Sequence, residues 1–153
     1  MNVRSLLTIS LVCALGVSCS GRFNGGGTMD SAVNSPIPAS FGFQTYATDS
    51  DGDGQADTFN GQFQFNDLAA GVSVHLPITQ ALMADPDPIT GVPTLRASGT
   101  GPNGELFSAT VEDHGQPGVS PDDKLSILIF GGPTGIYTNS GTINNGNVVW
   151  LPE

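Results

Sequence analysis

Apolar and polar residues alternate in the middle of the chain in a way that predicts half-buried antiparallel β-strands. The clearest case is residues 59–66 (FNGQFQFN), in which Phe63 and Phe65 alternate with glutamine. Side chains of a strand point alternately to its two faces, so one face here should lie on a core and the other should face water. Similar alternation at 41–46 and 72–76 predicts two further strands.

Two apolar runs, at 106–111 and 125–130, predict strands on either side of a loop rich in Gly, Pro and Asp. The second run is apolar at most positions, which is typical of a central strand covered on both faces. The dipeptide Asn103-Gly104 tolerates the backbone angles of a tight turn. It therefore predicts a hairpin that joins 95–99 to 106–111.

The remaining segments complete the predicted architecture. Residues 77–94 contain four prolines and predict a long loop, in which 78–85 (ITQALMAD) could form one or two helical turns. Residues 148–151 (VVWL) predict a closing strand. We therefore expect one all-β domain at 41–153, an antiparallel β-sandwich or partly closed barrel of about seven or eight short strands. The Gly-, Ser- and Pro-rich segment 20–40 is expected to be a flexible linker.

Composition and charge narrow the classes of function. With 21 Gly, 11 Pro and only 12% charged residues, the chain favours short strands and tight turns over long surface helices. Fourteen acidic residues against four basic ones give a net charge of −10. Nucleic acid is excluded as a partner, because binding phosphate requires basic patches. An acidic surface suits cations, and it also suits solubility alone.

Residues 1–19 have the features of a bacterial export signal. Arg4 precedes an apolar stretch at 6–17 that is too short to span a bilayer and that ends in Gly-Val-Ser-Cys at 16–19. This ending resembles a lipobox, which predicts lipidation of Cys19 and a place in the cell envelope as an outer-membrane lipoprotein. The alternative is ordinary cleavage and secretion. The two cysteines both lie in this segment, so no internal disulfide is expected in the mature chain.

The acidic turn, residues 49–57 (DSDGDGQAD), is the sharpest candidate for a binding site. Oxygen-bearing side chains at alternate positions, with a glycine at the sixth, can wrap a hard cation such as Ca2+. The pattern resembles DxDxDG calcium loops, but its twelfth position is Asn60, where an EF-hand has a bidentate glutamate. The competing interpretation is a turn without metal. The candidate ligands are Asp49, Asp51, Asp53, Gln55 and Asp57.

A second acidic segment extends from Glu112 to Asp123. We expect Asp113 to brace the loop by accepting backbone N–H groups, as aspartate does in turns. A second calcium site is the less favoured alternative. The two histidines, His75 and His114, have no partner motif, so surface or bracing roles are expected for both.

Four short motifs lie along the predicted domain. A Gly-Val-x-Val-His segment lies at 71–75, a Val-x-Asp-x-Gly-x-Pro-Gly loop at 111–118, an Asp-x-apolar-x-Ile strand at 123–127 and a Gly-Asn-apolar strand at 146–148. Together they resemble the post-COAP domain of bacterial secreted proteins. The resemblance covers about 41–153 and implies an all-β extracellular domain, with no known activity.

No sequence motif for catalysis stands out, since nucleophile elbows, HExxH and phosphate loops are all missing. We therefore expect a non-catalytic surface module with a structural or interaction role, whose ligand is a protein or a glycan. The alternative is a carbohydrate-binding module, for which Tyr46, Tyr137 and Trp150 are the aromatic residues that look free of the core. An enzyme that uses an unrecognised pair of carboxylates is the third possibility.

Overall fold

A computed structural model describes residues 20–51, 57–84, 87, 89, 91–115 and 123–152. In this part of the chain there are ten strands and one short 3-10 turn, Gly132–Thr134. No helix among these residues has the length and apolar character needed to cross a membrane. The predicted all-β class is confirmed, and the strands outnumber the seven or eight expected.

The strands form two antiparallel five-stranded sheets that are not closed into a barrel, as expected of a sandwich. The bounds are β1 Gly21–Met29, β2 Ala39–Thr48, β3 Thr58–Asp67, β4 Val72–Ile78, β5 Gln80–Ala84, β6 Thr94–Thr100, β7 Leu106–Glu112, β8 Lys124–Gly131, β9 Gly135–Thr142 and β10 Asn145–Pro152. Sheet A has the order β10-β1-β2-β3-β4, and sheet B has the order β5-β6-β7-β8-β9.

The chain passes between the sheets at two sharp corners. At the first, Thr79 separates β4 from β5, and its N–H donates to the Ser98 carbonyl at 2.9 Å. At the second, Ile143 and Asn144 separate β9 from β10. The Asn144 N–H donates to the Thr28 carbonyl at 2.7 Å, so the returning chain docks beside β1.

The core is built from the inward residues of the alternating strands. Phe63 and Ile127 are buried, as the predicted register requires, whereas Gln62 is exposed. Two aromatic contacts link the sheets. The ring of Phe63 lies 5.7 Å from that of Phe107, and the ring of Phe65 lies 5.5 Å from that of Tyr137. Aromatic pairs at this spacing add to the free energy of burial.

The segment expected to be a flexible linker contains an interior strand of sheet A, which corrects that prediction. Within 20–40, Gly21–Met29 forms β1 and pairs with both β2 and β10. Its glycines are needed for close packing. A Cβ on Gly25 would lie 2.9 Å from the Phe43 ring, and one on Gly27 would lie 2.2 Å from the Asn145 carbonyl oxygen.

One other local prediction was wrong, and one was right only in part. Residues 80–84, expected in a loop or helical turn, form β5, which pairs with β6. Strand β8 lies between β7 and β9, but its outer face is not covered, since Leu128 is 38% exposed and Phe130 is 41% exposed. Its buried face holds Ile127 and its neighbours, as expected.

The predicted hairpin around Asn103-Gly104 is confirmed, because β6 and β7 pair along their whole length. Gly104 has a φ of 83°, which glycine adopts without a steric penalty. The Gly101 N–H donates to the Glu105 carbonyl at 2.7 Å, so the loop is longer than a two-residue turn. The buried Glu105 carboxylate accepts bonds from the backbone and side chain of Asn103.

Candidate functional site

Three of the five predicted metal ligands meet where the β2–β3 hairpin turns. One carboxylate oxygen from each of Asp49, Asp51 and Asp57 lies within 4.8 Å of the others. The remaining two predicted ligands, Asp53 and Gln55, lie outside the residues that the structure describes.

Backbone hydrogen bonds hold these carboxylates in place. The Asp57 N–H donates to the Thr48 carbonyl at 2.9 Å and closes the hairpin. The Asp57 carboxylate accepts the Ser50 N–H at 2.7 Å, and the Asp49 N–H donates to the Ser20 hydroxyl at 2.8 Å. The last bond ties the acidic turn to the start of β1.

The chemistry of this cluster suits a hard divalent cation. Asp51 and Asp57 are exposed, and Asp49 is half-buried. Two like charges 4 Å apart repel by roughly 1 kcal/mol in water, and by more in the lower dielectric near a protein surface. Carboxylate oxygens are the ligands that Ca2+ prefers, in a flexible cage of six to eight oxygens. Three carboxylates can provide part of such a cage.

The second acidic segment has a bracing role. Asp113 accepts the N–H groups of Gly115 and Trp150, each at 2.9 Å, which confirms the prediction for this residue. Asp123 likewise accepts the N–H groups of His114 and Val148 at 2.9 Å. These carboxylates therefore satisfy backbone donors of β10 that do not pair with β1. Residues 116–122 lie outside the described part of the chain.

The histidines lie at and near the surface, as expected. His75 is exposed on β4, and its Nε2 lies 3.0 Å from the Gln62 side-chain oxygen on β3. His114 is half-buried, and its Nε2 lies 2.9 Å from Glu112. Each imidazole therefore pairs with a neighbouring polar side chain.

Sequence reasoning missed a buried carboxylate, Asp67, which lies at the end of β3. It is fully buried and accepts hydrogen bonds from the Ser31 hydroxyl, the Ala32 and Ala70 N–H groups and the Tyr137 hydroxyl. A polar residue next to a turn gives no signal of such a role in the sequence. The buried aromatic neighbours on β3 were the one available hint.

The environment of this pair shifts both pKa values. Burial of the Asp67 carboxylate acts to raise its pKa, but hydrogen bonds, the strongest from Ser31, outweigh that effect and hold the pKa below its usual value. Burial, together with the hydrogen bond to Asp67, raises the pKa of the Tyr137 hydroxyl well above 10. Asp67 is therefore ionised and Tyr137 neutral at physiological pH.

The outer face of sheet A, called here the amide face, is lined mainly by uncharged polar side chains. None of its strand positions carries an acidic side chain, although the chain has fourteen acidic residues, and Arg22 is its one lysine or arginine. Half-buried and exposed amides dominate it. The amide side chains are Asn24, Gln44, Asn60, Gln62, Gln64, Asn66, Asn145 and Asn147.

In the middle of the amide face the surface is formed by backbone, because the residues there are glycines. Gly26 and Gly42 pair across β1 and β2, with Asn147 on one side of them and Gln64 on the other. A Cβ on Gly42 would meet only the Gly25 carbonyl oxygen, at 4.0 Å, so there is open space above it. Neighbouring strands lie about 4.8 Å apart, and two glycines therefore leave a shallow depression about two strands wide.

Two amide oxygens beside this depression have no hydrogen-bond partner. They are Oδ1 of Asn24 and Oδ1 of Asn147, and both are shielded from solvent. A polar atom shielded from water without a partner has an unfavourable free energy, which favours turning the amide outward to meet a donor. Gln62, by contrast, is paired with His75.

The aromatic residues expected to be free of the core are mostly inside it, which corrects that expectation. Tyr137 and Trp150 are buried, and the Trp150 ring lies 5.5 Å from that of Phe23. Tyr46 is half-buried on the amide face, where the Arg22 guanidinium lies 6.0 Å from its ring centroid.

Comparison of this chain with protein-family models, with curated proteins and with solved structures found no match. The resemblance to the post-COAP domain therefore stays a prediction. The functional interpretation rests on the geometry of the acidic turn and of the amide face.

Proposed function

We propose that this chain is a non-catalytic interaction module of the bacterial cell envelope, steadied by Ca2+ at the acidic turn. The observation that carries the proposal is the convergence of Asp49, Asp51 and Asp57 at the end of the β2–β3 hairpin. The same hairpin supplies the centre of the amide face.

A cation at the acidic turn would act on the amide face through the ends of β2 and β3. Thr48 and Thr58 form the last strand pair before the acidic turn. The next pair whose side chains lie on the amide face is Tyr46 with Asn60. A cation held between Asp49 and Asp57 would restrain both strand ends. Calcium would therefore fix the positions of the side chains that a partner contacts.

Structural roles of two buried carboxylates, Asp67 and Asp87, support a non-catalytic module. Asp67 is tied to four donors and its pKa is lowered, whereas a general acid at neutral pH needs a raised pKa. Asp87 is buried and paired with Arg96 at 2.5 Å. Both groups hold loops in place.

Export and anchoring are part of the proposal and rest on the sequence. The signal at 1–19 would deliver the domain to the outer membrane, with lipid on Cys19, or would release it by cleavage. The signal and Cys19 both lie outside the residues that the structure describes. The post-COAP resemblance points to the same class of extracellular domain.

Hydrogen–deuterium exchange with Ca2+ and with chelator tests the link between turn and face. We expect Ca2+ to slow exchange across 44–62, because the restrained hairpin opens less often. Exchange at β7 and β8 is the internal control and should stay unchanged. Equal exchange across the hairpin in both conditions would contradict the proposal.

A further inference from the structure

We infer that the amide face of sheet A is a binding platform for neutral polysaccharide chains. This inference rests on the proposed function and names the class of ligand. Its starting point is the uneven distribution of charge: the chain carries a net charge of −10, yet no strand position on this face is acidic. The face is therefore close to neutral.

The chemistry of the side chains selects the ligand. Each amide offers two N–H donors and a carbonyl acceptor, which match the mixed donors and acceptors of sugar hydroxyl groups. Basic ligands would find no carboxylate on this face, and anionic ligands would find only Arg22, which lies near the Tyr46 ring. A neutral polyhydroxylated ligand fits the face best.

The two unpartnered oxygens give this match a specific location. Oδ1 of Asn24 and Oδ1 of Asn147 are acceptors shielded from water. The register places Asn147 directly beside Gly26, and Asn24 lies two residues before Gly26 on β1. If each amide turned outward from its shielded position, hydroxyl groups of a sugar lying over Gly26 and Gly42 would donate to both oxygens.

The shape of the face suits an extended chain rather than a single sugar. One cross-strand row runs from Asn147 over Gly26 and Gly42 to Gln64 and His75. Five strands at about 4.8 Å spacing make this row about 19 Å long, which accommodates several sugar rings. Tyr46, in a neighbouring part of the face, offers an aromatic edge for apolar contact with one of them.

Affinity electrophoresis of the purified protein tests the inference. Native gels would contain xyloglucan, laminarin or dextran as neutral probes and alginate as the anionic probe. We expect retardation by at least one neutral polysaccharide and none by alginate. The Gly42→Gln variant fills the depression, and Asn24→Ala with Asn147→Ala removes the acceptors. Each change should weaken binding roughly tenfold or more.

Matched controls separate binding from folding. Ser126→Gln adds the same side chain to the exposed outer face of sheet B and should leave retardation unchanged. The exposed change Gln64→Ala provides a second face variant if Gly42→Gln melts early. Calcium-dependent melting, measured without polysaccharide, reports on the proposed function by itself, so either claim can fail alone.

Three outcomes would overturn the inference. The first is unchanged mobility in every neutral gel, and the second is retardation that Gly42→Gln and the double asparagine variant leave intact. The third is a dimer in sedimentation that Gly42→Gln disrupts, since the face would then be an interface between two copies of this chain.

Discussion

The Tyr137 hydroxyl donates a 2.9 Å hydrogen bond to the Asp67 carboxylate, although the two residues lie in different sheets and 70 positions apart. The bond joins β9 to the end of β3. The same carboxylate holds Ser31 and Ala32, which follow β1. Asp67 therefore connects three distant parts of the chain at one end of the sandwich.

Tyr137→Phe should lower the free energy of unfolding by about 1.5–3 kcal/mol, because it removes a hydrogen bond to a buried charged group. Chemical denaturation measures this difference. Tyr46→Phe, on the amide face, is the matched control and should change stability by less than about 0.5 kcal/mol. Equal losses for the two variants would contradict the bridging role of Tyr137.

The same pair should make stability depend on pH at both extremes. The pKa of Asp67 is lowered from 3.8, so its contribution is present above that pH and is lost as the pH falls below it. The pKa of Tyr137 is raised from 10.0, so its contribution is present below pH 10 and is lost as the pH rises through the raised value.

Melting temperature measured across this range checks both signs. Tyr137→Phe should flatten the alkaline decline, and Asp67→Asn should make the acid decline shallower. A residual acid decline is expected from Glu105, because hydrogen bonds, the largest from the Asn103 side chain, also lower its pKa. An alkaline decline of unchanged steepness in Tyr137→Phe would show that another group causes it.

Core packing gives a third prediction. Phe63→Ala removes a fully buried ring that contacts Phe43 and Phe107, and should cost about 2–5 kcal/mol. Ile127→Ala on β8 should fall in the same range. Gln62→Ala, adjacent in sequence but exposed, should cost little, and urea titration distinguishes the three. A Gln62→Ala loss as large as that of Phe63→Ala would mean that the β3 register is wrong.

Strands with inward-facing side chains were predictable from the sequence, because burial imposes an apolar residue at every second position. Phe63 and Phe65 on β3 show this directly, and the predicted register was correct. Strand β1 was missed because Gly25 and Gly27 occupy inward positions where a side chain does not fit. Because close packing requires glycine at these positions, the alternation of apolar and polar residues that indicates a strand is missing from β1.

The candidate sites were predictable to different degrees. The acidic turn was visible because its ligands lie within nine consecutive positions, and Asp49, Asp51 and Asp57 do converge. The amide face was not predictable, because it depends on the register of five strands. Two of these, β1 and β10, are neighbours in the sheet but lie far apart in the sequence. Asp67 was missed for the same reason, since its partner Tyr137 is remote in sequence.

Anchoring gives a fourth prediction. If Cys19 carries lipid, Cys19→Ala should move the protein from the membrane fraction to the soluble fraction, because the acyl chains that hold it to the bilayer are lost. Cell fractionation with immunoblotting measures this change. Cys13→Ala, within the apolar stretch of the signal, is the control and should leave the distribution unchanged. Membrane association that persists in Cys19→Ala would contradict lipid anchoring at this residue.

The calcium prediction concerns the increment in melting temperature of each variant, from its value in chelator to its value in Ca2+. A ligand that binds only the folded form stabilises it by about 2.7 kcal/mol at a hundredfold excess over its dissociation constant. Asp51→Ala should abolish this increment. Asp30→Ala, which removes an exposed carboxylate elsewhere, should keep it, even if the lost bond from Asn144 lowers both curves.

Thermal unfolding of the purified protein in millimolar Ca2+, in Mg2+ and in chelator measures whether the acidic turn binds calcium. We expect a melting temperature several degrees higher in Ca2+ than in chelator, with little effect of Mg2+, because a flexible cage of many oxygens suits the larger ion. Identical curves in all three conditions would contradict this expectation, and residues 49–57 would then be an acidic turn without a bound cation.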